Sequence, residues 1–278
     1  MLDPRLPPGG VLSTSQLAAI GWTASAVRRA VADGRLDRLR PGWFALPGAH
    51  AATIRAVQAG GCLSCADALR LRGVWVPETL GSGHVRRGRH AAHRRAVGCR
   101  PYGANPRVTA AVDDVETAFR CVLRCGSDED VVVVADSLLH RGDATHDELE
   151  RWMRDAPARV RALLARVDAA ESGLESIVRI RLRSCGIRVR TQVWIGRRRV
   201  DLLVGDRLVV ECDGAEHHAG WTAHAADRER DRELVAAGCV VVRVTYRQVV
   251  DDWEAVLQDV LAIVRRRGHR DARTQKRG

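Results

Sequence analysis

Apolar positions recur along this chain with three different spacings, and each spacing predicts its own kind of element. In STSQLAAIGWTASAVRRAVADGRLDRLRPGWFAL, residues 13–46, Leu17 and Ile20 give a first short helix an apolar side. Ser13 and Gln16 stand at capping-box spacing at its start. Gly21 breaks that helix, Thr23 caps a second carrying Val27, Ala30 and Val31, and Gly34 closes it. RLDRLR and WFAL then flank Pro41-Gly42, a turn between two short strands. Helix, turn, helix and two-stranded ribbon form a winged-helix plan over residues 1–55.

Residues 56–165 are read as a small middle α/β region. TAAVDDVETAFRCVLRC (109–125) has helical spacing at Val112, Val115, Phe119 and Val122. VVVVADSLLHRG (131–142) reads as a buried strand leading into a helix.

Residues 166–267 are the most regular. SGLESIVRIRLRSCGI (172–187) spaces Leu174, Ile177, Val178 and Leu182 on one helical side. RVRTQVWI (188–195), RRVDLLV (198–204) and RLVVECD (207–213) are strands joined by tight turns. AADRERDRELVAAG (225–238) is a helix, CVVVRVTY (239–246) a buried strand, and 248–267 a final helix before a basic tail, 268–278. The whole is an α+β and α/β multidomain chain ending in an αβββαβα core with a mixed sheet.

Strand alternation makes the second hairpin's register informative. Val200, Leu202 and Val204 share one face, and Leu208, Val210 and Cys212 share one face of the next strand. Matching apolar to apolar pairs 204 with 208, 202 with 210 and 200 with 212. This requires a three-residue loop, Gly205-Asp206-Arg207, and sets Asp201 opposite Glu211 with Asp213 further along. A two-residue turn would place Asp201 among aliphatics, at the cost of burying charge.

Charge narrows the partners. The net charge is +11, and Lys276 is the only lysine among 45 basic residues. Such a surplus suits a polyanion, most simply nucleic acid. No apolar run approaches the roughly 20 residues needed to span a bilayer. The opening MLDPRLPPGG has no signal-peptide pattern, so a cytoplasmic setting with free thiols is expected. Cys62 and Cys65, with Cys121 and Cys125 downstream, make a four-cysteine zinc site conceivable. Both pairs lie in apolar helical patterns, which favours buried free thiols.

Arg28 and Arg29 on the second helix, and Arg38 and Arg40 on the ribbon, are placed to meet phosphates of DNA, most simply double-stranded. The helix-turn-helix followed by GRLDRLRPGWFAL, with LSCADALRLRGVW (63–75) after it, resembles the winged-helix domain of AbiEi-type antitoxins. A DNA-binding module is what that resemblance implies.

Two neighbouring carboxylates at a sheet edge repel unless a cation lies between them, and Mg²⁺ (or Mn²⁺) prefers such oxygen ligands. His217 and His218 follow closely enough for proton transfer. RVDLLVGDRLVVECDGAEHH followed by DRERDRELVAAGCVVVRVT resembles a family related to very-short-patch-repair endonucleases, within the PD-(D/E)XK nuclease superfamily. The resemblance implies a restriction-endonuclease-like fold in which Asp201, Glu211 and the Cys212 carbonyl bind metal. It matches Gln192 to the preceding strand, His217 or His218 to a family histidine, and Asp227, Arg230 and Asp231 to the following helix. Glu175 fits the acidic position on the first helix, or completes a capping box with Ser172. Asp213 stands where the superfamily has a lysine, leaving a histidine, Arg230, Arg243 or metal-bound water to replace it. The expectation is a Mg²⁺-dependent endonuclease on DNA. The alternatives are a DNA-binding regulator or antitoxin whose nuclease fold no longer cuts, and a nuclease acting on RNA. The second alternative is weakened by the scarcity of aromatics, two Phe and two Tyr.

Overall fold

The computed structural model describes residues 7–88, 98–168, 170–213 and 232–270. The chain divides into two compact units, Met1–Val167 and Asp168–Gly278.

In the first unit, β1 (Val11–Ser13) leads into α1 (Thr14–Ala19). Ser13 and Gln16 close the expected capping box there, each side chain taking the other's backbone N–H. α2 (Ala24–Ala32) starts at Thr23, whose hydroxyl accepts the Ala26 N–H. β2 (Asp37–Arg40) and β3 (Trp43–Ala45) form the ribbon around Gly42. β1 joins it, giving a three-stranded sheet β1-β3-β2 where two strands were expected. Strand alternation explains why both faces of this sheet are covered. Leu12 and Phe44 pack with Leu17, Val27, Ala30 and Leu36, whereas Val11, Trp43 and Ala45 pack with Val57 of α3 (Ala51–Gln58) and with Ala111.

The rest of this unit is mainly helical. β4 (Cys62–Leu63) pairs with β5 (Val85–Arg86), and α4 (Cys65–Leu71) packs against α5 (Val115–Cys125). α5 begins later than expected; Val112 instead bridges to Leu63 as extended chain. The strand expected from residue 131 is α6 (Asp128–Arg141), buried from Asp130 through Leu138. A helix surrounded by protein can be apolar on every side, and four consecutive valines carry no period to distinguish it from a strand. α7 (His146–Met153) and α8 (Ala158–Arg161) complete the unit. A buried ion pair ties its middle together. Arg86 donates from Nε and Nη2 to the two Asp113 oxygens at 2.6 Å each, and from Nη1 to Asn105 and the Pro106 carbonyl.

The second unit opens with α9 (Gly173–Ser184), which packs on β6 (Val189–Ile195) and β7 (Arg198–Val204). β8 (Leu208–Asp213) pairs antiparallel with β7 and parallel with β9 (Val240–Thr245), so the sheet β6-β7-β8-β9 is mixed. The final helical stretch is two helices, Tyr246–Asp251 and Trp253–Arg265, broken at Asp252, whose φ of −139° and ψ of 43° are not helical. No helix of the described residues is long and apolar enough to cross a membrane.

Candidate active site

The three-residue loop is present. Leu202 pairs with Val210, Leu203 with Val209 and Val204 with Leu208. Continued by one residue, this register sets Asp201 beside Glu211, but the ladder has already ended there. The Asp201 carboxylate replaces the next backbone acceptor, taking the Cys212 N–H at 2.8 Å. The expected face assignment changes at the same place. Val200 packs with Leu203 and Val209 in one cluster, together with Leu234 and Cys239. A step of three cannot arise from strict alternation, so the alternation breaks at Asp201. Across β6, in line with Asp201, Gln192 has φ +52°. Positive φ is uncommon for a side-chain-bearing residue and tends to persist where surrounding structure demands it.

Glu175 shows why that conformation matters. It lies in the first turn of α9, and its N–H caps onto the Ser172 hydroxyl. Its carboxylate does not complete the capping box. Oε2 instead accepts the Glu171 N–H at 3.2 Å and Gln192 Nε2 at 2.6 Å. Burial, then the charge of Asp201, raises the Glu175 carboxyl above the ordinary range; bonds from Ser172 and Gln192 act the other way.

The same pattern appears at Cys212. Burial pushes its thiol well up, and Asp201, Glu175, Glu211 and Asp213 all add to the shift. Four carboxylates from α9, β7 and β8 therefore act on one side chain. Glu211 is buried, whereas Asp201 and Asp213 are half-buried. Asp213 meets Arg243 Nη1 at 3.5 Å; Arg243 lies on β9, paired in register with Glu211.

One charge in this unit was not foreseen. Arg179 on α9 is wholly buried, one turn beyond Glu175. Its signal was available: an arginine within the apolar stripe made by Leu174, Ile177, Val178 and Leu182. His217, His218, Asp227, Arg230 and Asp231 lie outside the described residues.

In the first unit Arg28, Arg29 and Arg38 are exposed. Arg40 is half-buried, with its guanidinium 5.2 Å over the Trp43 ring.

Comparison with known families agrees with the two ends of the chain. No curated protein and no solved structure matches it. Residues 9–47 match the family model AbiEi_4, described as a transcriptional regulator, AbiEi antitoxin. Residues 174–264 match the family model REase_MTES_1575, which is restriction-endonuclease-like. Domains of that kind generally depend on a divalent metal, and both matches point to DNA as a partner. The chain thus carries an antitoxin-like segment near its N-terminus and a restriction-endonuclease-like segment over most of its second unit.

Proposed function

We propose that this protein is a DNA-directed, metal-dependent phosphodiester hydrolase of the PD-(D/E)XK kind, similar in activity to very-short-patch-repair endonucleases. The observation that carries this reading is the Asp201 carboxylate held on the Cys212 N–H at 2.8 Å, between buried Glu211 and half-buried Asp213 at the end of β8. These donors are hard oxygens that suit Mg²⁺ or Mn²⁺, and a divalent ion offsets the like charges they bring together. Asp201, Glu211 and the Cys212 carbonyl would hold the ion, which when bound supplies an activated water and offsets charge on the phosphodiester. Glu175 and Gln192, joined at 2.6 Å, form the wall beside Asp201. Arg243 contacts Asp213 from the neighbouring strand and brings positive charge to the position where the superfamily has its lysine. A guanidinium clamps phosphate but does not take up a proton, so proton transfer falls to His217 or His218. The N-terminal winged helix positions the protein on double-stranded DNA through Arg28, Arg29, Arg38 and Arg40.

Nicking of supercoiled DNA in Mg²⁺ or Mn²⁺ tests the assignment. Asp201→Ala and Glu211→Ala are expected to abolish it, and equal residual activity in all three proteins would overturn it. A second reading, a DNA-binding regulator or antitoxin that no longer cuts, is favoured by one feature: Asp213 replaces the superfamily lysine, and Lys276 is the chain's only lysine. Absence of nicking by the wild type, with sequence-specific binding unchanged in the Asp201→Ala, Glu211→Ala double variant, would establish that reading instead.

A further inference from the structure

Cysteine positions in the first unit depart from the pairing their sequence spacing suggests. Cys62 and Cys121 do not join Cys65 and Cys125. The Cys62 thiol donates to Asp113 Oδ1 at 3.3 Å, and Cys121 sulfur accepts from the Ser64 hydroxyl at 3.6 Å. Cys65 and Cys125 instead meet two residues from elsewhere, His84 and Cys99. Among the described residues, the ligand atoms of these four all lie within 4.8 Å of one another.

Each ligand comes from a different place in the fold. Cys65 opens α4, His84 immediately precedes β5, Cys99 bridges to Arg86 of β5, and Cys125 ends α5. We propose that Cys65, His84, Cys99 and Cys125 form a structural zinc site that holds α4, β5 and α5 together.

Donor chemistry favours Zn²⁺. Three sulfurs and one imidazole are a soft-to-borderline set, and a closed four-ligand shell is the pattern of structural zinc. With Zn–S near 2.3 Å and Zn–N near 2.0 Å, tetrahedral neighbours stand about 3.4–3.8 Å apart. His84 Nδ1 already lies 3.3 Å from Cys99 Sγ. The remaining ligand atoms lie within 4.8 Å of one another, at most about 1 Å beyond that spacing.

The histidine is prepared for a metal. Its Nε2 lies 2.6 Å from the Leu80 carbonyl, an acceptor only, so Nε2 carries a proton and Nδ1 is the nitrogen that faces the sulfurs. Its backbone is also held. Asp67 Oδ2 accepts the Gly83 and His84 N–H groups at 2.7 and 2.8 Å, and the His84 carbonyl accepts the Ser64 N–H. Asp67 is itself paired with Arg70. Such support around a ligating histidine is a usual companion of metal sites.

Cys65 adds a separate observation. Its φ is +51°, a left-handed conformation that a β-carbon disfavours. At the start of a helix this is unnecessary for capping, but it turns the side chain at the residue that must reach the other three. A disulfide explains the arrangement less well, since one bond among three thiols leaves a third sulfur and the oriented imidazole without a role. Cys65 and Cys99 are buried, His84 is half-buried and Cys125 is exposed, so the site has a side open to metal entry. Binding displaces three thiol protons and involves no change of oxidation state.

The test is metal content and spectroscopy on the full chain. Protein purified with reductant and zinc, then freed of loose metal, is expected to hold one Zn²⁺ per chain. Replacement by Co²⁺ should give the absorption of a tetrahedral thiolate site. Cys99→Ser, Cys125→Ser and His84→Ala should lower affinity at least tenfold, while Cys62→Ser and Cys121→Ser retain full occupancy. Because a ligand variant can fail to fold, the wild type provides an independent measurement. Thiol modification of the folded holoprotein should release its zinc as three thiols react. Asp201→Ala should keep its zinc, which separates this site from the nuclease reading. Wild type that takes up no tightly held zinc, or unreduced protein whose intact mass and peptide map show a disulfide among Cys65, Cys99 and Cys125, overturns the proposal. Equal loss of metal in Cys62→Ser and Cys99→Ser also overturns it.

Discussion

Replacing Asp201 by asparagine separates the two things that this carboxylate does. Its oxygen accepts the Cys212 N–H where the β7–β8 ladder has ended, and its charge pushes Glu175 and the Cys212 thiol upward. Asparagine keeps an acceptor oxygen and removes the charge. Losing charge assistance in that hydrogen bond costs about 1 kcal/mol. Relief of repulsion acts the other way. At an effective dielectric near 20, a pair of carboxylates separated by about 5 Å would repel by about 3 kcal/mol, and partial exposure reduces that by roughly half. Without metal, Asp201→Asn is therefore expected to match the wild type or exceed it by up to about 1 kcal/mol. Asp201→Ala leaves the N–H without its acceptor and should lose about 1–3 kcal/mol.

Urea unfolding of the full chain in chelator, followed by tryptophan fluorescence, measures that order. Mn²⁺ then reports function through the same observable. A bound ion at 100 times its dissociation constant stabilises the wild type by about 2.7 kcal/mol, and neither variant should respond. An asparagine variant less stable than the alanine variant would refute the balance of repulsion against hydrogen bonding. Equal Mn²⁺ stabilisation in all three would remove Asp201 from the metal site.

Glu175 carries a pH signature in the metal-free protein. Burial and Asp201 raise its folded pKa above the unfolded value, so in the interval between them the native state holds more protons. Stability from this group is full below the unfolded pKa and is lost as pH rises through the folded one. Glu175→Gln removes that loss. Its stability relative to the wild type should climb with pH from about pH 4, with a slope below the limit of about 1.4 kcal/mol per pH unit, then level off above the folded pKa. Parallel pH profiles in urea unfolding would contradict it. In the first unit, Asp113→Ala strands the Arg86 guanidinium, whose side chain is 2% exposed, and should cost about 3–5 kcal/mol. Replacing both partners by apolar residues of similar size should recover most of that in the same urea midpoint, and a double variant as unstable as the single one would show the pair is not the cause.

Local signals were legible and convergent ones were not. The capping residues Ser13, Gln16 and Thr23 act within four positions, so spacing alone located the first two helices. The hairpin register was legible because a one-residue slip would move Asp201 among aliphatics. The helix over residues 128–141 had a readable start in Ser127 with Asp130, a capping box followed by an acidic first turn. The valine run that follows masked it, since apolar runs alone do not separate strand from buried helix. Arg179 was hidden by the opposite assumption, that charge on a helix faces water. His84 and Cys99 could not be joined to Cys65 and Cys125 by spacing at all. Three elements, α4, β5 and α5, and the segment at Cys99 must come together before those side chains are neighbours.

The hairpin loop connects fold and chemistry more closely than the carboxylates alone suggest. Three independent restraints act on Gly205-Asp206-Arg207. Gly205 has φ +61°, which a side chain resists, and a β-carbon there would collide with the His269 carbonyl. That carbonyl accepts the Asp206 N–H at 2.7 Å and the Arg207 N–H at 3.2 Å. Arg190 donates to the Gly205 carbonyl at 2.8 Å, fastening the loop to β6. None of these contacts touches a carboxylate, yet each resists the slip that would separate Asp201 from Cys212 N–H. A loop of this length needs such restraint because its apolar pairs, Leu202 with Val210 and Val204 with Leu208, would be satisfied almost as well two residues away. Alternation, which breaks at Asp201, does not fix the register. The glycine and the His269 carbonyl decide which charges meet, so the acidity gathered around Cys212 depends on a loop at the other end of the hairpin.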